Sequence, residues 1–133
     1  MDFSQGLDIR LITPENIALL NKIRVKTLHF AWDNPLQDLT GYFRKFSELS
    51  RIRDHRRKCV YVLTNWNSTH EQDLWRMKTL RGMGYDPYIM IYDRPHAPKI
   101  TRWLQRWVNN RRIFNTVEKF EDYCHSQKRE END

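Results

Sequence analysis

Four short stretches of the chain are dense in β-branched, aliphatic and aromatic residues, and between them apolar positions recur every three or four residues. The dense stretches fall at about 3–10, 25–32, 59–66 and 88–93, a composition that predicts strands. Val60-Tyr61-Val62-Leu63 and Tyr88-Ile89-Met90-Ile91-Tyr92 are unbroken apolar or aromatic runs, the pattern expected of strands covered on both faces. The intervening segments carry helix signals. Thr13-Pro14-Glu15 places a cap before a proline, and Ile17, Leu20 and Ile23 then repeat on one face. Leu36, Leu39, Phe43, Phe46 and Leu49 predict a longer helix that reaches about Arg57. Ser68-Thr69-His70-Glu71-Gln72 holds two overlapping capping boxes ahead of Leu74, Met77 and Leu80, and Gly82-Met83-Gly84 ends that helix. Pro98 opens a helix with Ile100, Trp103, Leu104, Trp107 and Val108 on its apolar side. Asn115-Thr116-Val117-Glu118 caps a short last helix, and 125–133 reads as a polar, disordered tail.

Strand and helix thus alternate four times, with intervals suited to crossovers rather than hairpins. This predicts an α/β fold: a four-stranded, mostly parallel sheet with crossover helices, a partial (half) TIM-like βα barrel, formed as one domain over 1–124. Chemistry in such folds gathers at the carboxyl ends of the strands. The polar residues there are Asp8 and Arg10, Asp33 and Asn34, Asn65 with Asn67 and Ser68, and Asp93 with His96.

Composition narrows the classes. With 133 residues, 39% hydrophobic and 30% charged, the chain has the makings of one globular core. No long apolar run and no basic, apolar leader opens the sequence, so the expectation is a cytoplasmic protein with no membrane partner. Cys59 and Cys124 stand 65 positions apart with no Cys or His at metal-ligand spacing, which leaves two ordinary thiols and no metal site. The net charge of +6 is unevenly placed. Positions 44–58 hold seven bases and two acids, 99–112 five bases and no acid, and 118–133 six acids against three bases. Weak nucleic-acid binding through Arg53, Arg56, Arg57, Lys58, Arg106, Arg111 and Arg112 follows as one functional class. Trp103 and Trp107 lie among those arginines, but they share a face with Ile100, Leu104 and Val108 and read as core.

A second class comes from resemblance. The stretch Asp2-Phe3-Ser4-Gln5-Gly6-Leu7-Asp8-Ile9-Arg10, a helix, and then Leu28-His29-Phe30-Ala31-Trp32-Asp33 resembles the second half of a radical S-adenosylmethionine (radical SAM) enzyme barrel, and the two later strands, at 60–65 and 84–92, look like its continuation. The similarity covers about 2–123. It implies S-adenosylmethionine and a four-iron, four-sulfur cluster for a full-length relative, and it makes Asp8, Arg10, Asp33, Asn65 and Asp93 candidate cofactor contacts. The family's Cys-x3-Cys-x2-Cys loop has no counterpart in this sequence. Without those thiolates the reductive cleavage has no electron source, so this chain is expected to hold no cofactor of that kind, to have no catalytic residue of its own, and to act as a scaffold half.

Every rim residue also has a plainer role. Asp8 and Arg10 can form a structural ion pair, Asp33 a turn, and Ser68 and Thr69 a helix cap. His70 and His96 have no carboxylate partner evident in the sequence. A half-barrel would further leave its first strand as an edge beside an uncovered apolar face, which predicts a two-fold homodimer through that face or edge unless a helix or the C-terminal tail covers it. A structural or interaction domain without a small-molecule site is the third class.

Overall fold

The strand predictions rest on side chains that fit a pleated surface, and all four strands form. A computed structural model describes residues 2–132, with side chains from 6 to 131. The strands are β1 (Asp2–Leu7), β2 (Thr27–Ala31), β3 (Lys58–Thr64) and β4 (Asp86–Ile91). The helices are α1 (Pro14–Lys22), α2 (Thr40–Leu49), α3 (His70–Gly82), α4 (Lys99–Asn109), α5 (Arg111–Thr116) and α6 (Phe120–Asn132), with short 3-10 turns at Ile9–Leu11, His55–Arg57 and Arg94–His96. The sheet order is β1-β2-β3-β4 and each neighbouring pair is parallel. This is the α/β, partial βα-barrel-like architecture that the alternation predicts.

Capping fixes the helix starts. Thr13 accepts from the Asn16 amide while the Asn16 side chain returns to the Thr13 amide, and Thr69 and Gln72 repeat the arrangement at α3. The long second helix is a correction. It begins only at Thr40, because Asn34 and Asp38 fold the chain after β2 into turns through the amides of Leu36 and Thr40. It ends at Leu49, after which the Ser50 hydroxyl takes the Ile52 amide and Asp54 caps a separate 3-10 turn. The residues from 125 on are a second correction. Phe120 anchors α6 by ring packing on Trp107, with Tyr123 stacked on Phe120, and ion pairs Lys78–Glu121 and Lys99–Glu131 bind it to α3 and α4, so the helix runs on through the polar segment.

The two faces of the sheet differ. Leu28, Phe30 and Trp32 of the β2 segment share a face with Val60, Val62 and Ile89, all buried, and Phe43 and Phe46 of α2 pack edge-on against Phe30. Tyr85 closes this core, its hydroxyl donating to the Phe43 carbonyl at 2.7 Å. On the opposite face the register aligns His29, Cys59 and Asp86 in one row, Ala31, Tyr61 and Tyr88 in the next, and Leu63 with Met90 in a third. The first row is covered at its β4 end, where Cys59 and Asp86 are buried and Arg111 of α5 pairs with Asp86, whereas the next two are open, with Tyr88 and Met90 41% and 54% exposed. The expectation that the apolar runs are covered on both faces is therefore corrected. Right-handed crossovers in a strictly sequential sheet place every connecting helix on the same side.

The two edges differ as well. Asn109 of α4 accepts the Ile89 amide at 2.7 Å and donates to the Ile89 carbonyl at 3.0 Å, occupying the outer edge of β4 as a strand would. Among the described elements, β1 has only β2 as a sheet neighbour. The tail does not cover that strand, since α6 packs on α4 at the far side.

Candidate functional site

The parallel sheet brings Asp8, Asp33, Asn65 and Asp93 to one end, each within two residues of the end of its strand. Three non-glycine residues at this end have left-handed backbone: Asn65 at φ 60°, Asn67 at 49° and Asp93 at 49°. Asparagine and aspartate tolerate that region better than other side chains, and their clustering after β3 and β4 makes this the end where the backbone turns most sharply.

Most of the rim side chains hold one another. Asp8 does not sit within the strand beside Arg10. It caps the 3-10 turn, accepting from the Arg10 amide at 3.0 Å and from the guanidinium at 3.0 and 2.7 Å. The guanidinium hydrogen bond holds the Asp8 carboxyl below its ordinary range. Asp33 accepts the Leu63 amide at 3.2 Å and so ties β2 to β3. The Asn65 side chain donates to the Tyr92 carbonyl, tying β3 to β4. Asp93 receives His96 Nδ1 at 3.0 Å, the carboxylate partner that His96 lacks in the sequence pattern. His70 instead packs its ring on Phe120. Thr69 is the observed cap, and Ser68 is not.

Beneath the rim lies a pair with no counterpart in the sequence reading. Arg76 and Asp73 of α3, with side chains 1% and 2% exposed, form a salt bridge of 2.6 Å. Arg76 also donates to the carbonyls of Trp32 at 2.8 Å and Leu63 at 3.0 Å, while Asp73 accepts the Asn65 amide at 3.3 Å. One buried guanidinium therefore joins the carboxyl ends of β2 and β3. The only signal in the sequence is two opposite charges three apart at a helix start, a spacing that ordinarily marks a solvated surface pair.

Between the ends of β1 and β2 opens a cavity of about 320 Å³, lined among others by Gly6, Asp8, Arg10, Asp33, Asn34 and Gln37. Arg10 is already paired to Asp8, so the lining carries one net negative charge. A cation with hydroxyl groups suits it better than a phosphate.

The basic residues do not form the surface expected of them. Lys58 is buried, 4.8 Å from the Tyr85 ring centre, with its ammonium donating to the Ser47 hydroxyl, and burial lowers its pKa. Arg57 donates to the carbonyls of Lys26 and Val25, Arg53 to that of Ser47, and Arg56 pairs with Asp54, whose carboxyl it holds down to about 2. The 44–58 segment is broken after α2 and its guanidinium groups brace the chain. Arg106, Arg111 and Arg112 are exposed on α4 and α5, with Arg111 paired to the buried Asp86. Trp103 and Trp107 are core.

Cys59 lies inside β3 and Cys124 in α6, both as free thiols that burial pushes up in pKa. Two such thiols do not fit a cluster needing three thiolates, and no group of three metal-ligating side chains occurs among the described residues. No described helix is long and apolar enough to cross a membrane.

No family model, curated protein or solved structure matches this chain. The resemblance to radical SAM barrels therefore rests on its strand motifs alone.

Proposed function

We propose that this chain is the later half of a radical SAM-type βα barrel, contributing the wall and rim of an S-adenosylmethionine site without catalysing the cleavage itself. The observation that carries this reading is the inequality of the sheet's two sides. All crossover helices lie on one face, β4 is closed by α4, and the open β1 edge and open face are where further βα units would add. The rim cavity supports it chemically. S-adenosylmethionine has a sulfonium, an ammonium, a carboxylate and two ribose hydroxyls, a net positive charge, and it has no phosphate. Asp33 and Gln37 offer acceptors that such a molecule needs, beside Asp8 and Asn34, whose oxygens already take Arg10 and the Leu36 amide.

In this reading Asp33 is the principal rim contact, since one of its oxygens is used by the Leu63 amide and the other is available to a ligand. Asp8 with Arg10 lines the same cavity, whereas Asn65 and Asp93 stand farther along the rim, outside its lining. When bound beside a cluster supplied by other chain, S-adenosylmethionine would provide the radical chemistry. Cys59 and Cys124 have no part in holding that cluster.

The test is a titration of isotope-labelled protein with S-adenosylmethionine, followed by NMR. The amide signals of Asp8, Asp33, Asn34 and Gln37 are expected to move with weak affinity, and Asp33→Ala is expected to abolish the movement, whereas ATP should not compete. Signals that stay fixed up to millimolar ligand, or move only elsewhere, would refute the reading. So would a stoichiometric iron–sulfur spectrum after anaerobic reconstitution, or 5′-deoxyadenosine formed by the chain alone.

A further inference from the structure

The uncovered part of the sheet face carries a cluster of aromatic rings on adjacent strands. His29 and Tyr61 lie parallel, with ring centres 5.6 Å apart and planes 8° apart, and Tyr88 meets Tyr61 edge-on at 5.8 Å. The register puts these rings on three adjacent strands, so they form a ladder across the sheet. Met90 and Tyr92, each 54% exposed, extend the apolar surface along β4.

A groove of about 790 Å³ runs beside Tyr88, bounded by Gln105, Arg106, Asn109 and Arg111 of α4 and α5. Its neutral polar groups are already engaged. Asn109 is held by both backbone groups of Ile89, and Gln105 donates to the Ile89 carbonyl and accepts from Arg94. The Arg106 guanidinium is what the groove presents to a ligand, and Arg111, though paired to the Asp86 carboxylate, keeps about half of its side chain exposed beside it (51%). The segment 99–112 that supplies them has no acid, and Glu121, Asp122, Glu130 and Glu131 lie on α6, which packs on α4.

We propose that this sheet face, from His29 across to the groove at Arg106 and Arg111, binds single-stranded nucleic acid. Bases of an unpaired strand would stack on the Tyr61 and Tyr88 rings while the arginines hold the phosphates, the combination by which sheet surfaces take single strands without reading a fixed sequence. A duplex does not suit the face, because its bases are stacked inside and cannot reach the rings. A second copy of this chain is disfavoured on the same surface, since a two-fold contact would bring Arg106 and Arg111 of each copy against the same positive patch. The inference stands on the aromatic ladder and the groove and does not depend on S-adenosylmethionine binding at the rim. It also moves the nucleic-acid surface away from Arg53, Arg56, Arg57 and Lys58, which are used within the fold.

The test is fluorescence anisotropy of a labelled twelve-nucleotide RNA, its DNA counterpart and the corresponding duplex, at low and moderate salt, with the full chain. Both single strands are expected to bind more tightly than the duplex. Tyr88→Ala should weaken single-strand binding by about tenfold, with Tyr88→Phe close to the parent. Arg106→Ala should reduce the dependence of log affinity on log salt by about one. Tyr88 is on the surface, so circular dichroism of these variants should match the parent. No binding at low salt, equal affinity for duplex and single strand with Tyr88→Ala unchanged, or a dimer that Tyr88→Ala dissociates and that excludes the oligonucleotide would each overturn the proposal.

Discussion

Arg76 joins two strand ends through three acceptors, and its side chain has almost no contact with water. Breaking a buried ion pair on one side leaves an uncompensated charge and costs about 3–5 kcal/mol. Arg76→Met is therefore expected to lower unfolding stability by about that amount, because it strands Asp73 and two carbonyls. Arg76→Lys should recover little, since a single ammonium cannot reproduce the planar fork. Adding Asp73→Ala to Arg76→Met should cost less than the sum of the two single changes. Urea denaturation of the parent and the four variants, the single Asp73→Ala among them, measures this, and an Arg76→Met variant within about 1 kcal/mol of the parent would show the pair to be peripheral. Single residues were legible in the sequence where a helical face decided the outcome, as for Trp103 and Trp107 among Leu104 and Val108. They were not legible where a long-range partner decided it. Arg76 finds the Trp32 carbonyl 44 positions away, and Lys58 is drawn into the core against Tyr85. Periodicity within one element holds no record of such partners. The rim acids fall between these cases: their common end of the sheet could be read from the strand order, but the hydrogen bonds that occupy Asp8, Asn65 and Asp93 could not.

Helices with a reciprocal capping box began where it said they would, but Asn115-Thr116, read as the cap of the last helix, instead end α5, and α6 begins at Phe120. The reciprocal boxes at Thr13 and Thr69 are local chemistry, complete within four residues. The apolar repeat from Leu36 to Leu49 continued past both true ends of α2, because turn-forming Asn34, Asp38, Ser50 and Asp54 side chains capture backbone amides on either side of it. The polar segment after Tyr123 is helical for the opposite reason, since packing of Phe120 and Tyr123 and two ion pairs carry it. At the β4 edge, Asn109 stands in for a missing strand. Asn109→Ala would leave the Ile89 amide without a partner and its carbonyl with only the longer bond from Gln105, and a loss of about 1–3 kcal/mol is expected. Hydrogen exchange at the Ile89 amide should rise with it, while exchange at Phe30 in the middle of the sheet stays slow. Unchanged exchange at Ile89 would show that the helix backbone, and not this side chain, protects the edge.

For the whole molecule, the alternation of four strands with helices was enough to specify a sequential parallel sheet, because handedness leaves crossover connections little choice. It was not enough to say that one face stays bare, since an apolar run looks the same whether a helix or a partner covers it. The bare face and free β1 edge keep the expectation of self-association open to test. Because Asn109 already fills the β4 edge, we expect copies to meet through β1, edge to edge across a two-fold axis, which leaves Tyr88 accessible. Sedimentation should show concentration-dependent dimers, and amides in 3–7 should gain protection from hydrogen exchange as concentration rises while those in 88–92 do not. A monomer at every concentration, or protection confined to β4, would refute this arrangement. The Asn109 clasp also gives the sheet a polarity of growth. One end is sealed from within the chain, so any lengthening of the sheet, by another segment, another protein or another copy, has a single direction in which to proceed, and repeated addition of identical copies stops at two.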